Sequence, residues 1–274
     1  MRRSVLVTGA SSGIGAASAR VLVQRGFRVW AGVRDENRAP AGTTPIPLDV
    51  TDPAQIAGAV RRIAAEGGLY GLVNNAGIAV SAPLESVPLD ALREQFEVNV
   101  FGTLAVTQAM IPLLRRSLGR VVMISSISGR NAAAFIGPYA ASKYALEALS
   151  DALRAELAPS GIDVSLIEPG AVKTPIWERG AARGLALADT MAPVVRARYD
   201  ADVSLLLRAS AAFAAHGIAP ERVAEAVARA LIARRPKTRY LVGTEARLQL
   251  AARRFVPDRL RDRLIRAALR HAAR

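Results

Sequence analysis

The sequence predicts an α/β fold in a single domain: a doubly wound parallel sheet of about seven strands with helices on both faces. Three observations carry this. Short β-branched runs alternate with helical periodicities along the chain. The first run opens into a glycine cluster that starts a helix. No linker, internal repeat or low-complexity stretch divides the 274 residues. Alternation this regular implies parallel strands joined by crossover helices.

Ser4–Thr8 (SVLVT) is the first β-branched run; TGASSGIG, Thr8–Gly15, follows it and leads into a helical pattern over 14–25. Phe27–Val33 reads as a second strand and Thr44–Leu48 as a weaker third. Before a helix over 53–66 stands DVTDP, in which Thr51 or Asp52 can cap the helix and Pro53 suits its first turn. Leu69–Val73 is a strand ended by NNAG, a long helical region covers 89–117, and Arg120–Ser125 (RVVMIS) has the continuous apolar character of a buried strand. PYAASKYALEAL, 138–149, starts a helix running to 158 with Pro138 in its first turn. Asp163–Ile167, ended by EPG, and Thr238–Val242 complete the strands. Two segments break the rhythm. Residues 171–219 mix Pro, Gly, Ala and Leu without strand signals, as a helical flap would, and 244–274 form two basic helical stretches with Pro257 between them. The expected layout is therefore a body over 1–243, with 171–219 as its flap, and a basic helical extension over 244–274.

A hydrophobic fraction of 51% is ample for a large core. No stretch reaches the ~18 uncharged apolar residues of a membrane span, and MRRSVLVTGASSG turns glycine-rich too soon for a secretory signal. The absence of cysteine excludes disulfides, thiol catalysis and thiolate metal sites. The two histidines, His216 and His271, have no ligand-like neighbours, so no metal is expected. The expected location is the cytoplasm.

Net charge is +14, but Arg234–Arg274 holds 13 Lys/Arg against 3 Asp/Glu, a net of +10, and the remainder carries only +4. Such a tail raises nucleic acid or an anionic membrane as partner. Its charge has almost no aromatic interleaving for base stacking, so no nucleic acid is expected. Leu260, Leu264, Ala267 and Ala268 lie at helical spacing opposite Arg259, Arg263 and Arg270. A helix packed on the body with a solvated face is favoured over a membrane anchor.

Two local patterns carry chemistry. TGASSGIG sits between a strand and a helix, the context of a dinucleotide-binding turn. There glycines let the backbone approach a pyrophosphate and the helix N-terminus presents free N–H groups. Its spacing is G-x-x-x-G-x-G rather than the commoner G-x-G-x-x-G. Tyr139 and Lys143, four apart, share one helix face. By itself the pair reads first as a packed tyrosine and a solvated lysine.

The glycine spacing, NNAG at Asn74–Gly77, the strand-end serines and YAASK together resemble the short-chain dehydrogenase/reductase family. The resemblance runs continuously over residues 4–175, and PLDV (Pro47–Val50), NV (Asn99–Val100) and PGAVKT (Pro169–Thr174) extend it. It implies a Rossmann-like sheet and an oxidoreductase that moves a hydride to or from a nicotinamide. By the same resemblance Tyr139 is the general acid/base and Lys143 both favours its phenolate and holds the nicotinamide ribose. A free phenol has a pKa of about 10 and needs such help near neutral pH. Ser126, preferred over Ser125, orients the substrate oxygen, and Asn99 positions a water leading to Lys143. For the cofactor, Gly9, Ser11, Ser12, Gly13, Ile14 and Gly15 form the turn. Asp49 accepts from the adenine amino group and Val50 touches the base. Asn75, Ala76 and Gly77 lie by the adenosine ribose. Pro169, Gly170, Val172 and Thr174 bind the carboxamide. Asn74 serves equally well as a tie between strands.

An NAD site places Asp or Glu at the end of the second strand, to accept from the ribose 2′-OH. Here that place reads Val33, then Arg34, then Asp35. A hydrophobic residue followed by an arginine suits a 2′-phosphate, so NADP(H) is favoured over NAD(H), with Asp35 against. Ile127, Phe135, Ile136 and Trp177 flank the catalytic segments and, with Ser126 and Tyr139, suggest a small hydrophobic alcohol or ketone as substrate. RYLVG and PDRLRDRL resemble the branch with retinol and 17β-hydroxysteroid dehydrogenases. A homodimer or homotetramer through the long helices is expected, with Ala141, Ala145, Ala148 and Ala152 allowing close approach. The alternative is a catalytically silent cofactor sensor or scaffold on the same fold.

Overall fold

The computed structural model describes residues 3–257, 259, 260, 263, 264 and 267. Its strands are β1 (Ser4–Thr8), β2 (Arg28–Val33), β3 (Thr44–Pro47), β4 (Gly71–Asn74), β5 (Arg120–Ile124), β6 (Asp163–Pro169) and β7 (Arg239–Val242). All pair in parallel, in the order β3-β2-β1-β4-β5-β6-β7. This is a Rossmann-like sheet in a single domain. The order reverses between β1 and β4, so the loops leaving their carboxyl ends run to opposite faces and open a crevice between them.

Helices α1 (Gly13–Gln24), α2 (Pro53–Ala65), α3 (Leu89–Phe96), α4 (Thr103–Ser117), α5 (Gly137–Leu157), α6 (Ile176–Asp189), α7 (Pro193–His216), α8 (Pro220–Ile232) and α9 (Thr244–Phe255) complete the fold. The pleat divides the core in two. Val5, Val7, Val122 and Ile124 point to the layer of α1 and α8, where Leu22, Val223 and Val227 pack. Leu6, Val121 and Met123 point to the layer of α2, α4 and α5, where Ile63, Met110 and Leu153 pack. Successive strand residues serve opposite layers because their side chains alternate. Asp52, not Thr51, caps α2, accepting from Ala54 and Gln55 N–H at 2.8 and 3.2 Å.

Four features depart from the sequence reading or refine it. The helix expected over 89–117 is interrupted by a π-helical turn, Glu97–Gly102, which carries Asn99. Helix α8, which that reading passed over, has Val223, Val227 and Leu231 buried at four-residue spacing and packs along α1. The segment expected to be a flap is a helical hairpin, α6 and α7, joined at its base by a parallel bridge between Val172 and Ile218. Of the two basic stretches, α9 is the first; most of the second, beyond Pro257, lies outside the described residues.

Leu89–Ser117 is the one run among the described residues long and apolar enough to cross a membrane. Half of its most apolar 18-residue stretch is buried inside the protein, with Val106, Met110 and Leu114 against the sheet, so it serves as a core helix. Its π turn brings Gly102 against the loop after β3. A Cβ on Gly102 would stand 2.7 Å from the Val50 carbonyl oxygen and 2.8 Å from the Val50 side chain. Gly102→Ala should therefore destabilise the fold by ~1–3 kcal/mol through overpacking. Urea unfolding with an unchanged midpoint would show that the turn relaxes freely.

Candidate active site

Strand β1 ends at Thr8, whose hydroxyl accepts from the Asn75 and Ala76 N–H groups at 2.9 and 3.0 Å. The Asn75 carboxamide returns two bonds, to the Thr8 and Gly9 carbonyls at 2.9 and 3.1 Å. This staple fixes the ends of β1 and β4 side by side. Gly9 has φ +63° and Gly15 passes beneath it, where a Cβ would collide with the Gly9 carbonyl and the Asn75 amide. The turn is thus built without side chains where its own backbone crosses. At the start of α1, Ser12 makes no side-chain cap bond, which leaves its hydroxyl available to a ligand.

From this turn an open cleft of ≈ 750 Å³ runs along the carboxyl ends of the strands. Gly9, Ser11, Ser12, Gly13 and Ile14 line one side, with Arg34, Asp49 and Val50 at one end. Asn75, Ala76 and Gly77 lie in the middle, and Ser126, Tyr139, Lys143, Pro169, Gly170, Val172, Thr174 and Trp177 at the other end. Gly15 supports this wall from below. The cleft suits a dinucleotide: glycine backbone faces it where phosphates would lie, and polar groups stand at both ends.

At the Arg34 end of the cleft, Asp49 accepts from Thr51 N–H and hydroxyl at 3.0 and 2.8 Å. Burial works against its charge, yet the Thr51 bonds and the Arg34 guanidinium hold its carboxyl below the usual range. It remains an acceptor. Arg34 faces the cleft, whereas Asp35 turns away, its carboxylate accepting from Asn37 N–H at 3.1 Å to cap a short 3₁₀ turn.

At the other end Tyr139 and Lys143 are both buried, at 8% and 6% exposure. Burial pushes the phenol up to about 12, opposed by a hydrogen bond with Ser126. Burial draws the ammonium down to about 8, opposed by the Glu147 carboxylate. Lys143 Nζ donates to the Ile124 carbonyl at 2.8 Å and lies 5.8 Å from the Tyr139 ring centre. Ser126 accepts from Ser128 N–H at 3.1 Å, which orients its hydroxyl. Ser125 also borders the cleft, but its buried hydroxyl has no hydrogen-bond partner.

Asn99 is buried and does not line the cleft. Its carboxamide accepts from Ile78 N–H at 2.9 Å and donates to the Ile78 carbonyl and Ser142 hydroxyl at 3.0 and 3.1 Å. Ser142 in turn donates to the Tyr139 carbonyl at 2.7 Å. The side chain therefore braces the loop after β4 against the turn that bears Tyr139. Asn74 ties β4 to α4 and β5, donating to Thr107 Oγ1 and Met123 Sδ.

The substrate side differs from expectation. Ile127, Phe135 and Ile136 do not line the cleft. Ile127 opens a 3₁₀ turn and Ile136 precedes α5. Phe135 takes φ +67° and sets its ring edge-on against Tyr199 at 6.2 Å. Trp177 does line it, donating to the Val172 carbonyl at 2.9 Å. Sequence reasoning missed Arg93, Arg179 and Arg183, which also border the cleft. Arg93 pairs with Asp90 at 2.6 Å and Arg183 with Glu94, so two of the three are already compensated. Only the fold reveals them, by bringing α6 (Arg179, Arg183) and α3 (Arg93) to the border of the cleft.

The profile of the family described as short chain dehydrogenase matches residues 3–183. An NADPH-dependent 3-dehydrocapnine reductase of Ornithobacterium rhinotracheale is 36% identical over 277 residues, covering 96% of this chain and 95% of the relative. Retinol dehydrogenase 5 of Mus musculus is 36% identical over 281 residues, covering 95% of this chain and 87% of the relative. A crystal structure of a short chain dehydrogenase from Burkholderia cenocepacia in complex with NADP matches with a TM-score of 0.75 and 27% identity, covering 96% and 97% of the two chains.

The buried phenol gives a direct optical test. A phenol lifted by burial keeps its proton through its usual titration near pH 10 and loses it toward 12. Tyr199 is also raised, by its bond to Glu85, so in an ultraviolet pH titration of the folded protein Tyr139→Phe should reduce the late ionisation by one phenol without abolishing it. A late step unaltered in the variant would mean that the phenol is not sealed from water.

Proposed function

We propose that this chain, which belongs to the short chain dehydrogenase family and is an NAD(P)-dependent oxidoreductase of CH–OH and C=O groups, uses NADP(H) to interconvert a hydrophobic alcohol and its carbonyl compound. The observation that carries this reading is the Ser126–Tyr139–Lys143 cluster at one end of a dinucleotide-shaped cleft. When bound, the nicotinamide supplies or takes the hydride. The chain's residues handle the proton and the geometry. Ser126 orients the substrate oxygen, and Tyr139 donates to it in reduction or accepts from it in oxidation. Lys143 stabilises the phenolate side of that exchange and holds the ribose. Asn99, through Ile78 and Ser142, keeps the helix turn of Tyr139 in place.

Arg34 supports NADP(H), because it faces the cleft without an ion pair among the described residues while Asp35 is engaged in a cap. The NADPH-dependent relative agrees with that choice. Trp177, Ile176, Val172 and Ala79 on the substrate side, together with the retinol dehydrogenase relative, support an apolar substrate. The α6–α7 hairpin is the natural flap for it. Ala141, Ala145, Ala148 and Ala152 form a small, solvent-facing stripe on α5, which supports helix pairing in a homodimer or homotetramer.

Two experiments test the reading. A panel of hydrophobic ketones and alcohols, followed by the absorbance of reduced nicotinamide, should yield a substrate on which Tyr139→Phe lowers turnover by ~10²–10⁴ with little change in NADPH affinity. Near-normal turnover in that variant would remove Tyr139 from the chemistry. For the cofactor, a charge-assisted bond to a 2′-phosphate contributes roughly 1.5–3 kcal/mol, about ten- to a hundredfold. By fluorescence titration, wild type should bind NADPH at least ~10-fold more tightly than NADH, and Val33→Asp with Arg34→Ile should invert the order. Tighter NADH binding by wild type would sink the NADP assignment.

A further inference from the structure

Behind Lys143 lies a group of charged side chains for which the reaction described above has no use. Glu147 follows Lys143 by one turn on the same face of α5, with its side chain only 8% exposed. Arg239 of β7 donates to Glu147 Oε2 at 3.1 Å and to Asp151 Oδ2 at 2.8 Å. Its Nε also lies 3.0 Å from Glu168 Oε1. Glu168, buried near the end of β6, takes Arg130 Nη1 on its other oxygen at 3.3 Å. Three cations (Lys143, Arg239, Arg130) thus face three carboxylates (Glu147, Glu168, Asp151), and Asp151 pairs outward with Arg154 as well.

Arg130 and the two buried carboxylates each belong to a segment that bears a residue of the site. Arg130 ends the 3₁₀ turn that Ser126 begins. Glu147 stands four residues after Lys143, and Glu168 immediately precedes Pro169. The segments touch where Gly129 lies: a Cβ there would stand 3.0 Å from the Lys143 carbonyl oxygen and 3.1 Å from Glu147 Cγ. Stability does not explain the cluster, because well-packed apolar residues in place of buried ion pairs are often neutral or stabilising. Charge placement at the site does.

We propose that Glu147 is a positioning residue of the reaction: anchored by Arg239, it sets its carboxylate behind the Lys143 ammonium and ties α5 to the Ser126 turn and to the strand end bearing Pro169 and Gly170. This rests on the roles proposed above for Tyr139 and Lys143. The charged and titratable groups on the elements packed here are Tyr139, Lys143 and Glu147 on α5, Arg130 after the 3₁₀ turn, Glu168 on β6 and Arg239 on β7. Burial lowers Lys143 to about 8 and Glu147 opposes that fall. Without the Glu147 carboxylate that opposition is gone, and the ammonium would lose its proton at lower pH.

The test is the pH dependence of ketone reduction by the full chain with NADPH. Glu147→Gln keeps the shape and drops the charge. Its alkaline fall in kcat should move down by about one pH unit with KM for the ketone little changed, and Glu147→Asp should bring it back toward wild type. The same displacement should appear in the pH dependence of NADPH binding, read by fluorescence without turnover. Arg239→Gln keeps the Glu147 charge but removes its anchor, so the alkaline fall should also move down, by less than in Glu147→Gln; this variant carries the test if Glu147→Gln does not fold. A Glu147→Gln profile superimposable on wild type, or an Arg239→Gln profile that is unmoved or moved up, overturns the proposal. With Tyr139→Phe inactive, either result overturns the role of Glu147 alone; with Tyr139→Phe as fast as wild type, the underlying reaction falls as well.

Discussion

The site depends on one junction, the lock between the ends of β1 and β4. In a parallel sheet all carboxyl ends lie along one edge, and a crevice opens only where neighbouring loops leave to opposite faces. Here four hydrogen bonds join Thr8 and Gly9 to Asn75 and Ala76 across that place. Bonds of this number make the separation of the two loops a property of the sheet rather than of the loops. The glycine turn then has a fixed backbone to lie on, and Gly15 can approach Gly9 closely because neither carries a side chain. Everything at the nucleotide end follows from this. The arrangement of the reacting end follows from β5 and β6, which extend the same parallel register from β4.

At the reacting end the governing constraint is burial of an acid and a cation together. A phenol taken out of water holds its proton, and an ammonium taken out of water tends to lose its own. The chain opposes the second tendency through the Ile124 carbonyl and the Glu147 carboxylate. It does less against the first, since only Ser126 pulls the phenol down. By the protein's own groups the site is therefore set with its proton on the tyrosine. It stands ready as an acid, and an added positive charge beside it would favour the phenolate that the opposite direction needs. That asymmetry belongs to the protein's own electrostatics.

Much of this was legible in the sequence, and the limits have physical causes. Buried parallel strands are continuous apolar runs, so SVLVT and RVVMI stood out. TPIP did not, because Pro45 and Pro47 suit only an edge strand, which is where β3 lies. The Tyr139–Lys143 pair could be placed on one helix face from spacing alone. The π turn at Glu97–Gly102 could not, since a hydrogen-bond slip leaves no periodic signature. Nor could the outward packing of Phe135, which depends on a left-handed backbone and on Tyr199 from α7. Arg34 and Asp35 were ambiguous because adjacent residues beyond a strand end need not turn the same way. The Asp35–Asn37 cap separates them. The helix α8 was legible in its spacing of valines, yet it lay between a segment with no strand signal and a tail dominated by charge.

The flap is where the sequence says least and where the physics is weakest. Gly180 and Gly184 bring α6 against Ala79 and Ser81; a Cβ on Gly184 would stand 2.7 Å from the Ser81 carbonyl oxygen. Among the described residues, further ties are the Phe135–Tyr199 ring contact, the Trp177 bond to the Val172 carbonyl and polar pairs nearer solvent, Arg183 with Glu94 and Arg198 and Tyr199 with Glu85. Exposed pairs of this kind contribute roughly 0–1 kcal/mol each. At its base the Val172–Ile218 bridge closes the hairpin, and a glycine-lined contact seats α6 on the loop after β4. Its position is therefore set by helix-on-loop packing, whereas the Thr8–Asn75 junction and the cluster around Lys143 are fixed by the sheet itself.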